Sequence, residues 1–508
     1  MAEAGAAAER AFRSDRDLSG CLLARFPGTS PPDWLRRWLD DGLGGVALFA
    51  GNIAGPDELA TLVAELRSHN PAVLIAADEE GGIVTRLEAR TGSSYPGNAA
   101  LGAVGDGHLT REVAASMAVM LAASGVNLNL APVADVNSNR ANPVIGVRSF
   151  GSDPDVVAEQ TSAFVTGLQS RRVAACAKHF PGHGRTGTDS HLELPVVGAT
   201  LDELRAADLM PFAAAIAAGV RSVMTAHVLF PAVDEVPATL SRRLLRDVLR
   251  DELGFTGVII TDALEMAAIG DSAGRADGAV RALAAGADLL CLPADPAAQA
   301  LARQTLLAAV NDGEVPGSRV EESAARVREL ARWARPEPAP ATAPAQAPPT
   351  GPMIGTVAAM RALLVDQVDA PLAAAPYVID AGGRMSSQLD DSASSLLGLL
   401  RERLPQTAGV RLIAPQAGVS GEAPGLSGLL SAAAGRPLVV AVSDAHRRAW
   451  QGELLAKVLA LRPDAIVVGT GTVHDRALAG RHYLGTRGSG RVNLAAAADF
   501  LAGREAAE

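Results

Sequence analysis

Eight short apolar runs, separated by amphipathic segments, predict an α/β fold: a (β/α)8 barrel followed by a smaller α/β sandwich domain. Three observations carry this expectation. The runs and the segments between them alternate from residue 20 to about residue 335. Most runs are continuously apolar, as strands buried on both faces must be. Polar and charged residues gather just after the runs, where a barrel of this kind raises its functional loops.

The strands are expected at Gly20–Phe26, Gly45–Phe49, Val73–Ala77, Val126–Pro132, Val173–Ala177, Ser222–Ala226, Gly257–Thr261 and Ala287–Leu292. Between them, Pro56–His69, Leu109–Ser124, Asp155–Ser170, Leu201–Ala218, Ser241–Leu253 and Ala273–Ala285 carry apolar residues at helical spacing. Several begin with Ser or Asp, or with Pro beside Asp, as helix starts do. Residues 336–352 are a run of Pro and Ala, expected to be an extended, semi-stiff linker between a catalytic domain at 1–335 and a second domain at 353–508. In that second domain, Pro376–Asp380, Val410–Ala414, Leu438–Ser443 and Ala465–Gly469 read as strands, with helices at Ser392–Leu404 and Glu453–Leu461 among the connections. Its strand ends carry Asp444, His446 and Gly469-Thr470-Gly471, a pattern that plain loop geometry also produces.

The 508 residues are 48% hydrophobic and 20% charged, with a net charge of −11. That composition suits a globular protein and argues against nucleic acid or an anionic membrane as the main partner. Cys21, Cys176 and Cys291 are an odd, widely spaced set in apolar runs, which gives no disulfide framework and no zinc knuckle. No basic start followed by a long apolar core precedes the barrel, and no long uncharged apolar stretch occurs, so a cytoplasmic protein is expected.

The chemistry concentrates in the loops. Asp78-Glu79-Glu80-Gly81-Gly82 closes the third run, with Arg86 a few residues on. A carboxylate there can accept hydrogen bonds from vicinal hydroxyls, and the glycines allow a tight turn and close approach of a ligand. Arg148, in Gly146-Val147-Arg148-Ser149-Phe150-Gly151, offers a rigid donor fork to an oxygen-rich ligand. Lys178 and His179 leave the fifth run side by side, and each can donate to hydroxyls. His183 follows in Phe180-Pro181-Gly182-His183-Gly184, either as a site group or as a residue that holds the loop together. Asp189-Ser190-His191 sets a carboxylate two residues from an imidazole on a glycine-rich loop, which suits a mobile general acid/base. Asp262 ends the very apolar seventh run, with Glu265 in the same loop. A carboxylate in that place binds, ionises or attacks. The histidines with Asp189 also admit a metal cluster, but Lys178 would oppose a cation and the spacing lacks a helical His pair, so neither metal nor cofactor is expected. No phosphate-cradling loop and no Gly-x-Ser-x-Gly elbow appears. The inventory fits displacement at a sugar's anomeric carbon.

These motifs together resemble glycoside hydrolase family 3, in the branch of the NagZ-type β-N-acetylglucosaminidases. The resemblance covers the first domain. It implies Asp262 as nucleophile, Asp189 and His191 as the acid/base pair, and Asp78, Arg86, Arg148, Lys178 and His179 as sugar-binding groups. It also implies a small carbohydrate substrate, a terminal β-linked N-acetylglucosamine on muropeptide or cell-wall fragments. Two alternatives stay open at this point: phosphate in place of water as acceptor, and a non-catalytic sugar-binding protein.

Overall fold

The computed structural model describes residues 15–190, 193–266, 275–335, 353–382, 395–412 and 425–504. The Pro/Ala run and His191 lie outside them. The chain forms two compact units, and these do not follow chain order. The first holds Met1–Glu79, Thr110–Ile145 and Ser152–Pro349; the second holds Glu80–Leu109, Gly146–Gly151 and Thr350–Glu508. The excursions after the third and fourth strands therefore pack with the C-terminal part of the chain.

The first unit is built on eight parallel strands: β1 (Leu22–Ala24), β2 (Gly45–Leu48), β3 (Leu74–Ala77), β4 (Leu128–Asn129), β5 (Ala174–Phe180), β6 (Ser222–Thr225), β7 (Val258–Ile260) and β8 (Leu290–Cys291). They pair in the order β7-β6-β5-β4-β3-β2-β1-β8. The Thr261 N–H donates to the Leu289 carbonyl at 3.0 Å and the Leu289 N–H to the Ile259 carbonyl at 3.0 Å, which joins the two ends into a TIM-type barrel. Inward side chains of alternate positions, Leu23, Leu74, Leu128, Cys176, Met224, Ile260 and Cys291 among them, form one core with Val327, Leu330 and Ala331 of the helix Gly317–Trp333. The barrel is thus a packed interior rather than a pore.

Strand β5 runs three residues past the expected end at Ala177. The apolar run stops there, but the ladder does not. The Lys178 N–H donates to the Pro132 carbonyl at 3.0 Å, and the Phe180 carbonyl accepts from the Ala226 N–H at 2.7 Å. Lys178 and His179 are therefore strand residues. The barrel helices match the expected segments closely at Pro56–His69, Gly107–Ala123 and Pro154–Gln169.

In the second unit a six-stranded sheet has the order β11 (Ala408–Arg411), β10 (Tyr377–Asp380), β12 (Leu438–Val442), β13 (Ile466–Gly469), β14 (His482–Gly485), β9 (Leu364–Asp366). Only β9 is antiparallel to its neighbour. The sheet alternates strictly. Leu438, Val440 and Val442 enter one core, and Val439 and Ala441 the other. Each face is then covered by helices, as a sandwich requires. Two of its strands, β9 and β14, lie outside the four expected: β9 has three residues, and β14 begins at His482 and ends at Gly485, so neither reads as a continuous apolar run. The excursion after β3 is tied into this unit by close backbone approach. A Cβ on Gly490 would meet the Gly82 backbone at 2.7 Å, and Arg491 donates to the Gly92 carbonyl at 3.2 Å and the Ser94 hydroxyl at 3.1 Å. No described helix is long and apolar enough to cross a membrane.

Candidate active site

At the C-terminal ends of the barrel strands, charges are held in place by partners from neighbouring strands. Asp78, just past β3, pairs with the Lys178 ammonium at 2.8 Å. Lys178 is 2% exposed, so its charge is held by this contact rather than by water. The loop leaving β3 is set by Asn129, whose amide donates to the Glu79 carbonyl at 2.8 Å and whose oxygen accepts the Glu79 N–H at 3.0 Å.

Asp135 stands past β4, is fully buried, and gathers the next strand. It accepts the His179 N–H at 3.2 Å, the His179 Nδ1–H at 2.8 Å and the His183 N–H at 2.7 Å. The ring of His179 is thereby fixed with Nδ1 donating inward, which leaves Nε2 as the atom a ligand can meet.

Asp262 follows β7 and is partly exposed, with one carboxylate oxygen accepting the Ala263 N–H at 2.7 Å. His227, past β6, braces the same turn: its Nε2–H donates to the Ala263 carbonyl at 3.0 Å. Glu265 pairs with Arg25, whose guanidinium lies 4.2 Å from the Phe49 ring centre, so its charge is spent on an ion pair. The charges converge. Burial pushes the Cys176 thiol up to about 12, and the charges of Lys178, Asp78 and Asp262 all reach it. Those of Asp135, His179 and Asp262 all reach His183.

The glycine-rich stretch after β5 is not loose as far as Ser190. Its His183 is 2% exposed and lies between the Thr186 and Ser190 hydroxyls, at 2.9 and 2.8 Å. Arg185 pairs with Asp208 at 2.7 Å, and a Cβ on Gly184 would strike the Val136 carbonyl at 1.9 Å. The glycines here serve close packing. Asp189 is half-buried at the far end of this stapled segment, and its carbonyl accepts the Glu193 N–H at 3.1 Å. His191 lies outside the described residues.

The remaining two sequence candidates belong to the second unit. Arg148 lays its guanidinium on Glu80 in a bidentate pair, Nε at 2.9 Å and Nη2 at 2.8 Å. Arg86 is buried. The Gly81-Gly82 turn needs its glycines: φ is +80° and +61°, and a Cβ on Gly81 would meet the Pro96 carbonyl at 2.7 Å. Asp444 and His446, past β12, are engaged by Arg447 and by the segment that follows β13. Asp444 accepts from Thr472 and pairs with Arg447 at 2.9 Å, and His446 Nδ1 meets Asp475 at 2.8 Å. The Arg447 charge opposes a cation beside these carboxylates.

Residues 31–330 match the glycosyl hydrolase family 3 N-terminal domain. The chain belongs to glycoside hydrolase family 3. Among curated relatives, the β-hexosaminidase of Methylococcus capsulatus is 40% identical over 277 residues, 54% of this chain and 82% of that protein. A β-hexosaminidase A of Pseudoalteromonas piscicida is 38% identical over 288 residues, and the match spans 48% of its length. Among solved structures, a family 3 β-N-acetylglucosaminidase from Paenibacillus sp. superposes with a TM-score of 0.86 at 33% identity, covering 96% of each chain. NagZ from Neisseria gonorrhoeae, solved with N-trifluoroacetyl-D-glucosamine, matches with a TM-score of 0.51 at 32% identity, over 62% of this chain and 95% of that one.

For this family 3 glycoside hydrolase, the sequence motifs did not single out the buried carboxylates that hold their neighbours in place. Glu80 stood in a quoted motif without a role, and Asp135 was not singled out. Their signal was only position, a carboxylate past a strand end. Their partners lie 44 and 68 residues away, beyond the reach of local pattern.

Proposed function

We propose that the protein is a retaining exo-β-N-acetylglucosaminidase that removes terminal β-linked N-acetylglucosamine, with muropeptide or cell-wall fragments as natural substrates. The observation that carries this reading is a partly exposed Asp262 at a strand end, facing the same rim as the Asp78–Lys178 pair and a ring-fixed His179. Similarity to β-hexosaminidases and to a β-N-acetylglucosaminidase across nearly the whole chain supports it.

In the first step a carboxylate oxygen of Asp262 attacks the anomeric carbon. The bond to the aglycone oxygen breaks, its electron pair stays with that oxygen, and the oxygen takes the imidazolium proton of His191. In the second step a water attacks the anomeric carbon and gives a proton back to His191, and Asp262 leaves as a carboxylate. One water is consumed. Asp189 accepts the other imidazole N–H and supports its positive charge. Asp78, Lys178 and His179 hold sugar hydroxyls, and Arg86 and Arg148 serve as further donors. An imidazole in place of a second carboxylate removes one negative charge facing Asp262.

The test is turnover of p-nitrophenyl N-acetyl-β-glucosaminide and of the matching glucoside, with and without phosphate, with identification of the sugar released. Free N-acetylglucosamine is expected, with slight activity on the glucoside. N-acetylglucosamine 1-phosphate would replace hydrolysis by phosphorolysis, and no turnover would leave a sugar-binding protein.

A further inference from the structure

The residue between Asp189 and His191 is a serine whose side chain is 2% exposed. The chain turns here, with the Asp189 carbonyl accepting the Glu193 N–H at 3.1 Å. Ser190 points into the protein, and its hydroxyl lies 2.8 Å from Nε2 of His183. His183 is in turn fixed at every polar atom. Its N–H is given to Asp135 at 2.7 Å, and its carbonyl accepts from the Asn142 amide at 2.9 Å and the Thr186 hydroxyl at 3.0 Å. The Thr186 hydroxyl also lies 2.9 Å from Nδ1, so the ring bridges the Thr186 and Ser190 hydroxyls, one at each nitrogen.

We propose that His183 and Ser190 form a latch that positions the Asp189–His191 pair, with His183 as a positioning residue. The proposal rests on the acid/base reading above. Its geometry links two parts of the site through one carboxylate: Asp135 fixes the ring of His179 and the backbone of His183, and His183 fixes the residue between the two acid/base groups. An imidazole suits this task because its two nitrogens sit at opposite edges of a rigid ring and can bridge Thr186 to Ser190 without a rotatable bond between them. Burial pulls His183 down to about 4, with the Asp135 and Asp262 charges opposing that pull and His179 adding to it. The latch is therefore neutral at neutral pH and keeps one hydrogen-bond pattern while a neighbouring acid/base titrates.

The experiment compares Ser190→Ala, His183→Ala, their double variant and His191→Ala on two substrates. N,N′-diacetylchitobiose has a poor leaving group that needs a proton. A 2,4-dinitrophenyl N-acetyl-β-glucosaminide does not. Ser190→Ala is expected to lower kcat/KM on the disaccharide about 10- to 100-fold, part of the roughly 10²- to 10⁴-fold that a positioned acid supplies, and to leave the activated substrate nearly unchanged. His183→Ala should show the same split, and the double variant should lose no more than the worse single one, since the two act as one unit. Equal losses on both substrates, or additive losses in the double variant, overturn the latch. If His183→Ala does not fold, Ser190→Ala carries the test. His191→Ala separates the two levels: a split there without one in Ser190→Ala sinks the latch alone, and no split in His191→Ala sinks the acid/base reading and the latch with it.

Discussion

At the C-terminal rim of the barrel, fully buried Asp135 faces imidazole and backbone N–H groups. At the other end, just before β8, fully buried Asp288 faces three guanidinium groups: Arg250, Arg319 at 2.8 Å and Arg326 at 3.2 Å. It also accepts from Ser323 at 3.1 Å and the Ile259 N–H at 3.0 Å. Burial makes both carboxylates costly unless they are paired. The partners differ because the tasks differ. Arginines saturate Asp288 with permanent charge and stitch β7, β8 and the last barrel helix together. Asp135 uses its oxygens to orient the ring of His179 and the backbone of His183. One end fixes the fold, and the other spends the same kind of burial on aim.

The comparison predicts which end controls which measurement. The largest effect belongs to the rim. Asp262→Ala should lower kcat by about 10⁴-fold or more, the order seen when a nucleophile is removed. Its thermal midpoint should stay near that of the parent, because Asp262 is partly exposed and lies past the end of its strand. A large drop in melting temperature would mean that the rim carries stability as well. The base should behave in the opposite way. Asp288→Ala leaves Arg250 buried without its counter-charge and Arg319 with Glu322 alone, and should cost about 3–5 kcal/mol of unfolding free energy in a denaturant titration. The protein that remains folded should keep its kcat. A parallel loss of kcat would break the division between the two ends.

His183 extends the contrast to pH. Its folded value lies near 4, below the ordinary 6.5, because burial disfavours the cation. Between those values the unfolded chain binds a proton that the folded chain refuses. The contribution is complete above about pH 6.5, declines as the pH falls, and levels off below about pH 4, for a total of roughly 3 kcal/mol. Other groups titrate in the same window, so the measurement is the difference between the parent and His183→Asn. The parent's melting temperature should fall more steeply from pH 6.5 to pH 4. Parallel curves would show that His183 is not buried as a neutral ring.

How much of this the sequence showed depends on the range of the interaction. The eight barrel strands were legible because each is a continuous apolar run, and a strand buried on both faces has no other way to be written. The end of β5 was not, since Lys178 and His179 look like loop residues until Pro132 and Ala226 are seen to bond across to that stretch. The rim residues were legible by their type and their place after strands. Whether the glycines after β5 loosen the loop or let it pack was not. Gly182 and Gly184 read as freedom, yet one lies against Asp208 and the other against the Val136 carbonyl. Glycine is required for mobility and for close contact alike, and only the neighbours tell them apart.

The smallest predicted effect concerns Glu80, which stands next to Glu79 and two residues from Asp78 in an acidic run whose members do different things. Asp78 meets the Lys178 ammonium, whereas Glu80, 3% exposed, holds Arg148 through Nε and Nη2. A bidentate carboxylate fixes a guanidinium plane. Glu80→Gln keeps the shape but removes the charge and one of the two acceptors, so Arg148 should be held in less of the right orientation. If Arg148 binds ground state and transition state alike, KM should rise by roughly tenfold while kcat changes little, a loss of about 1.4 kcal/mol in uniform binding. A fall in kcat with KM unchanged would instead place Arg148 among the groups that act only in the transition state, and would bring Glu80 into the same class of aiming carboxylates as Asp135.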